Sequence, residues 1–412
     1  MPLASSSVEQ IRFIAESVFG VIPGAGNPRN LRITGETLDF TVSKEQSKEI
    51  NATRTISSVV PVTANSSGGL QGEISYQEWD ALVSATLQAT YTVYGTAGVA
   101  STATTVAYTL GTTLTNSVTA LAGNDVWTGL QRGQWFKINH PGNVNDGKIV
   151  RVSPTVTPTA TIIVLDAGTP VVNVAAAVSF TLATSRLTHG TTQTSFTIER
   201  ANSDVTQFLA YTGMTPSKMD VNVSSGALSS ISFDFMGKSA SRAAGGAGTT
   251  QLPGTPIASY VNDIHSGVSG LSCQLWEGGA PITGTFVKSV TLSYDNSLRS
   301  QEAICTLGAV SIGAGTIQVS GSLSVYFSDT LLFDKFKANT NSSIIFSSVD
   351  GAGNGYIFTI PVANISSWKT NASGKDSDMM VDLQFIGLRD AANAVVALQK
   401  AIFIDRVGAA LV

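Results

Sequence analysis

Apolar and polar positions alternate strictly along much of the chain, most clearly between Phe286 and Phe336. Val290, Leu292 and Tyr294 alternate with Ser289, Thr291 and Ser293, the period-2 pattern of a strand with one buried and one wet face. The polar loop Asp295-Asn296-Ser297-Leu298-Arg299 follows, and Ile317 to Tyr326 then alternates again around Gly321. Asp329 offers a helix N-cap, and Leu331, Leu332, Phe333 and Phe336 fall on one helical face. The same order occurs from Thr37 to Leu87. There Leu38, Phe40 and Val42 alternate with Thr37, Asp39 and Thr41, before the polar Glu45-Gln46-Ser47-Lys48-Glu49. Gly69 opens a second strand, Leu70 to Tyr76, and Glu78 begins a short helix carrying Trp79, Leu82, Val83 and Leu87.

The duplication continues past the helices. The first copy resumes at Thr194–Arg200, with strands at Gln207–Tyr211, Lys218–Val223 and Ser230–Gly237. The second has Ser343–Phe346, then Tyr356–Ile360 after an Asn354-Gly355 turn, and Met379–Gly387. Their closing runs read ISFDFMG and VDLQFIG. Between Tyr91 and His189 the chain is rich in Thr, Ala and Val and poor in carboxylates. Within it Trp135–Asn139, an Asp146-Gly147 turn and Lys148–Val152 read as a hairpin, with further strands at Thr161–Leu165 and Val178–Leu182. The pattern predicts a mainly β protein: two homologous β-sandwich or barrel domains, each with one short helix, and an inserted small SH3-like β-barrel. The first domain takes 1–93 and 189–237, including an arm whose Ile11–Glu16 suits strand or helix. The insert takes 94–188, a Gly, Ala and Ser linker 238–256, and the second domain 257–412, which ends in a strand at Ala401–Asp405.

Composition narrows the chemistry. Only 13% of the 412 residues are charged and the formal net charge is −4, which argues against binding nucleic acid by phosphate neutralisation. Two cysteines, Cys273 and Cys305, are too few for a disulfide framework and read as buried free thiols. No basic start or apolar run marks a secretory signal, and no segment approaches the roughly 18–20 apolar residues of a membrane span. His140, His189 and His265 are scattered and read as solvated loop residues, so no metal site is expected. Gly351–Gly355 precedes a strand, which makes it a hairpin turn instead of a phosphate cradle. Asp376 and Asp378 read as solubilising turn residues. The insert's Trp127 and Trp135 leave a glycan-binding or hydrolase reading open, though core aromatics are the simpler account. No catalytic constellation emerges, so neither enzyme activity nor a cofactor is expected.

The informative feature is the wet face of the predicted sheets. In the first copy it carries Thr37, Asp39 and Thr41, then Gln71, Glu73 and Ser75, then Asp220 and Asn222, then Ser232 and Asp234. In the second it carries Ser289, Thr291 and Ser293, then Gln318, Ser320, Ser322 and Ser324, then Asp382 and Gln384. None of these is Lys or Arg, although the chain holds 24 such residues. Ordinary solvated surfaces intersperse both signs of charge. A face of hydroxyls, amides and carboxylates makes no counterion-release contacts with phosphate, and suits a surface past which DNA slides.

Several segments together resemble the tail tube (major tail) proteins of long-tailed bacteriophages over nearly the full length. They include Phe19-Gly20, Leu31–Leu38, Ser47–Ile50 with Arg54, Ser195–Glu199, Phe233–Lys238, Asp295–Arg299 and Gly321–Phe327. The resemblance implies sandwich or barrel subunits that form rings, and rings that stack into a hollow conduit for DNA, without catalysis. It implies that the loops after each first strand reach a neighbouring ring: Glu45, Ser47, Lys48, Glu49 and Arg54 in one copy, Asp295, Asn296, Arg299 and Glu302 in the other. Relatives with two tube domains per chain look like trimers with a pseudo-sixfold inner wall, which is the expectation here. Tape-measure and tail-terminator proteins are the implied partners, double-stranded DNA passes without specific binding, and no membrane is involved. The implied location is the virion tail, after assembly in the host cytoplasm. A secretion-system tube or a distal tail protein is the nearest alternative.

Overall fold

The computed structural model describes residues 3–94, 106–110, 116–120, 130–139, 141–159, 162–169, 171–172, 181–242, 249–266, 275–277, 280–281, 286–327, 330–372, 374–375, 378–391, 393 and 399–408. Eight strands carry the architecture. They are β1 (Asp39–Gln46), β2 (Val59–Glu73), β3 (Gln207–Ser224), β4 (Ser230–Gly237), β5 (Val287–Asp295), β6 (Gln318–Tyr326), β7 (Gly355–Ala372) and β8 (Met379–Leu388). They form one antiparallel sheet in the order β1-β2-β4-β3-β5-β6-β8-β7. The first four and the last four repeat a single connectivity: a hairpin, whose second strand pairs with the last strand of the repeat, which pairs in turn with the strand before it. The repeats join at β3 and β5, where Lys218 lies opposite Asp295 and Ser224 opposite Ser289.

Alternation fixed which residues face inward. On β3 Met219, Val221 and Val223 are buried, on β5 Val290, Leu292 and Tyr294, and on β8 Val381, Leu383 and Phe385. Each copy holds a second layer over this apolar face. The reason is strand length: β3 and β7 are each 18 residues, not the separate short strands expected from Gln207–Tyr211, Lys218–Val223 and Tyr356–Ile360. Each passes a bulge, between Pro216 and Lys218 in β3 and between Ile365 and Ser367 in β7, and continues into the second layer. A bulge redirects a strand, and Pro216, lacking an N–H, is tolerated there. The upper half of β3 pairs with Phe196–Asn202 and Ser239–Arg242, and that of β7 with Ser342–Val349 and Phe403–Val407. The arm segment resolves as a strand, Glu9–Ala15, against Phe196–Asn202. In the linker, Ser239–Arg242 is thus a strand, and Thr250 and Gln251 are tied to the buried Glu199 carboxylate.

The two helices are α1 (Asp80–Thr86) and α2 (Leu331–Lys337). Trp79, Leu82, Val83 and Leu87 are buried, as the pattern predicts, but α1 starts at Asp80. Glu78 is instead buried before the helix, accepting N–H groups from Arg32 at 2.7 Å and Tyr260 at 2.8 Å, and burial raises its pKa. In α2 Leu332 and Phe336 pack on the core, whereas Phe333 is exposed, edge-on to Trp368. Asp329 lies outside the described residues, as do Cys273, His140, Trp127, Asp376 and the 243–248 part of the linker.

The described part of the insert is an antiparallel arrangement of Val106–Leu110, Asn116–Ala120, Ile162–Gly168, Ile149–Val152, Trp135–Asn139 and Thr181–Thr188, each paired with the next. Thr181–Thr188 also pairs with Phe403–Val407. The insert, which leaves the chain in the first copy, therefore packs on the second. Trp135 meets Trp276 with ring centroids 4.9 Å apart, within a cluster that includes Ile149, Ile345, Ile357 and Val407. This explains why Ile344 to Val349 are buried on both faces. An ion pair locks the seam: the Arg186 guanidinium donates to both Asp405 oxygens at 2.6 and 2.7 Å, and Trp135 N–H donates to the same carboxylate. The next residue, Arg406, pairs with Asp80 at the start of α1, whose carboxylate also accepts the Tyr356 hydroxyl at 2.6 Å.

Candidate functional site

The polar positions of both copies fall on the sheet face away from the core. Registers place Gln71, Ser232, Asp220, Ser293, Ser320 and Ile386 in successive rows across β2, β4, β3, β5, β6 and β8. Asp39 and Thr41 extend the face on β1, Glu73 on β2 and Asn222 on β3. Asp234, Ser289, Thr291, Gln318, Ser322, Ser324, Asp382 and Gln384 share it. Thr37 stands at its margin, two residues before β1, where the chain passes close to Gly68: its Oγ1 accepts the Gly69 N–H at 2.8 Å. Gly68 makes this close approach possible, because its φ is +131° and a Cβ there would lie 2.3 Å from the Thr37 carbonyl oxygen. Ser75 is a correction. It lies past the end of β2 and is buried, 1% exposed, where the chain bridges to Ile264.

The face carries more than the sequence pattern showed. Lys218 and Lys369 lie on it, opposite Asp234 and Asp382 respectively, along with the apolar Met236 and Ile386. Lys218 donates to Asp220 at 2.7 Å, and that bond raises its pKa. Burial raises the Asp234 carboxyl, Lys218 opposes the rise, and Asp220 and Asp295 add to it. Many polar groups are satisfied across strands: Thr291 with Ser322 at 2.7 Å, Ser324 with Asp382 at 2.7 Å, Thr41 with Asn65, and Asn371 with Asp382. These pairs occupy part of the face's donors. Carboxylates from Asp39, Glu73, Asp220, Asp234, Asp295 and Asp382 outnumber the two lysines, so the face is acidic.

The two loops differ. β1 and β2 run on as a hairpin to the Gln46–Val59 pair, beyond the end of β4 at Gly237–Ser66. Glu45, Lys48, Glu49 and Arg54 are exposed on it, with Ile50 99% exposed at its tip, and Ser47 is half-buried. In the second copy Arg299 and Glu302 are exposed beside a small hairpin of Arg299–Gln301 with Ser311–Gly313. Asn296 is a correction: it is 1% exposed and its Nδ2 donates to the Thr86 carbonyl at 2.7 Å, fixing the loop to the end of α1. Asp295 accepts the Ser297 N–H at 2.6 Å. Nothing in the polar sequence of that loop marks its asparagine for burial.

Other expectations resolve elsewhere. Cys305 is exposed, with φ 67°, and not buried. His265 is fully buried, its Nδ1 2.9 Å from Ser348 Oγ, and His189 is half-buried; neither is a solvated loop residue. Trp135 is fully buried, which removes it from any sugar-binding surface. Gly351–Gly355 forms the hairpin turn, with Asp350 accepting N–H groups from Ala352 and Asn354. A cleft beside the insert is lined by Arg132, Arg151, Arg186 and Asp390, but Asp166 and Asp405 already hold Arg151 and Arg186. Among the described residues no His, Cys, Asp and Glu cluster suits a metal ion, and no helix is long and apolar enough to cross a membrane.

No curated protein matches the chain. The model of the phage tail tube protein family matches residues 6–387, nearly the whole sequence, and the chain therefore belongs to that family.

Proposed function

We propose that this chain builds rings in which the eight-stranded face lines the channel through which DNA leaves the capsid. As a tail tube protein it is a structural component of the virion tail and self-assembles into a tube. In the proposed ring each chain supplies two tube units, 1–93 with 189–237 and 257–412, joined by the linker 238–256. Three chains then complete a pseudo-sixfold inner wall. The insert, 94–188, sits on the outside, because it covers the layer farthest from the polar face. The hairpin bearing Glu45, Lys48, Glu49 and Arg54 reaches the next ring, as do Arg299 and Glu302. Assembly takes place in the host cytoplasm with tape-measure and tail-terminator partners, and the chain performs no catalysis.

One observation carries this reading. Apart from Ser75, the wet positions of both copies, scattered through nearly 350 residues of sequence, share one predominantly acidic face, with Lys218, Lys369, Met236 and Ile386 among them, on a sheet shared by the repeats. An acidic wall repels phosphate at close range, and some of its hydroxyls, those of Thr41, Thr291, Ser322 and Ser324 among them, are already hydrogen-bonded across strands. DNA therefore passes without pausing. The test replaces Glu73, Asp234 and Asp382 together by Lys. Rings of the variant should keep three chains by native mass measurement, while DNA ejection slows roughly ten-fold or more at low salt and recovers as salt rises. Six chains per ring would sink the trimer, and unchanged ejection would remove these residues from the channel wall.

A further inference from the structure

The hairpin turn of Gly351–Gly355 meets the insert at one lysine. Lys137 sits on the insert's Trp135–Asn139 strand, between Ile149–Val152 and Thr181–Thr188. Its stem passes over Gly353, where a Cβ would come within 3.7 Å of Cε and Nζ. The Lys137 Nζ donates to the Ala352 carbonyl at 2.6 Å and to Asn354 Oδ1 at 3.2 Å. The other end of the same side-chain amide is held as well: Asn354 Nδ2 donates to Asp350 Oδ2 at 3.2 Å. Asp350 is 7% exposed and fixed in turn, because its Oδ1 accepts the Ala352 and Asn354 N–H groups at 2.9 and 2.8 Å. A primary amine, a carboxamide and a carboxylate thus meet in one place, the amine and the amide coming from positions 217 residues apart.

We propose that Lys137 and Asn354 join in an intramolecular isopeptide bond, with Asp350 as the proton relay, so that the insert is covalently stapled to the second repeat. The Lys137 Nζ attacks Asn354 Cγ. Asp350 takes a proton from Nζ and passes one to Nδ2. The Nζ–Cγ bond forms, the Cγ–Nδ2 bond breaks, and ammonia leaves, carrying away as ammonium the proton that the lysine brought. Nothing is oxidised or reduced, and no co-reactant is consumed.

Three features supply what an amide and an amine lack in free solution. The first is position. The turn is tied by Asp350 N–H to the Asn354 carbonyl at 2.8 Å and by Gly353 N–H to the Asp350 carbonyl at 3.1 Å. The amide is therefore held between amine and carboxylate, and such fixed proximity replaces a bimolecular encounter. The second is the nucleophile. Burial lowers the Lys137 pKa, with Asp350 and Asp146 opposing the shift, and only the neutral amine attacks. The third is the leaving group, since the Asp350 carboxyl already touches the nitrogen that must depart. Ile149 Cδ1 approaches the same Gly353 position to 3.8 Å, and Ile149 belongs to the dry cluster of Trp135, Trp276, Ile345, Ile357 and Val407. The bond would close a very long loop across a seam whose other contacts, such as Arg186 with Asp405, are noncovalent.

Intact mass spectrometry of the denatured full-length chain tests the bond. The natural chain should be lighter than its sequence by one ammonia. A tryptic digest should contain the Lys137 peptide joined to the Asn354 peptide, uncut after Lys137. Lys137→Arg and Asp350→Asn should each return the full mass. Lys137→Arg should also melt about 10 °C below the natural chain, because the staple constrains the unfolded state. A natural chain of full mass would overturn the proposal. So would an ammonia loss that persists in Lys137→Arg, since Asn354 can instead cyclise onto the Gly355 nitrogen without the lysine. An ammonia loss that persists in Asp350→Asn would remove the carboxylate from the reaction. The readout needs no ring assembly, so it is independent of the proposed channel.

Discussion

His265 shows how far a residue's role depends on where the chain brings it. Its backbone N–H donates to the Ile74 carbonyl and its carbonyl accepts the Ser229 N–H, so it stitches the segment before the second repeat to the first. Its ring lies beside Tyr356, with Nδ1 2.9 Å from Ser348 Oγ, and is fully buried. Burial lowers its pKa from 6.5 to about 4, with Asp350 opposing the shift; His189 is lowered likewise by burial and then by Lys400. A depressed pKa means the fold favours the neutral ring. The resulting stability is present above the ordinary histidine pKa and is lost as pH falls toward the folded value. For His265 the loss should be about 2 kcal/mol by about pH 5. Glu78 and Asp234, whose pKa values are raised by burial, act in the opposite sense, contributing stability at low pH that is lost as pH rises. Comparison with His265→Gln removes those background effects, because the variant keeps them. Urea midpoints measured from pH 7 to pH 5 should fall more steeply for the natural chain; parallel curves would show that His265 does not titrate in this range.

At the scale of elements, alternation made most strands readable, because a period of two is written in adjacent residues. Ser289, Thr291, Ser320 and Ser322 lie on the polar face as their spacing requires. Pairing between distant strands left no such trace. Nothing near Lys218 announces that Asp295 lies opposite it, and nothing near Thr188 announces Phe403. The bulges at Ser217 and Ser366 broke long strands into apparent short ones. Asn296 and His265 looked solvated because polarity is local and burial is not. The β1–β2 hairpin is the element whose reach was most legible, in the polar Glu45–Glu49 run. Its apolar tip was not: Ile50, Ile56, Val59 and Val60 are all more than half exposed, an apolar patch that calls for a partner surface. Replacing residues 47–58 by a two-residue turn should leave single rings intact and abolish their stacking. Size-exclusion chromatography and negative-stain microscopy would check this, and tubes of normal length would refute a stacking role.

For the whole molecule, the insert changes what a repeat means. The repeats share one polar sheet, yet their outer layers differ, because only the second is covered by the insert. Ile345, Ile357, Val407 and Trp276 form the covered surface, and the insert's Trp135 lies on Trp276, which is 0% exposed. Asp405 is 0% exposed and holds Arg186, so removing the insert also strips a buried carboxylate of its cation, a change that is strongly destabilising in general. A mere decoration could be removed without harm. Here, excising 95–188, which removes Arg186 with the insert, should yield a chain that aggregates or melts well below the natural protein, although no strand of the polar face has been touched. The same excision combined with Trp276→Ser, Ile345→Thr, Ile357→Thr and Asp405→Asn should regain solubility, because those changes remove the apolar patch and the orphaned charge. Thermal unfolding and light scattering of the two excised chains would decide it: a simple excision that stays soluble and stable would make the insert an appendage instead of part of the second repeat's core.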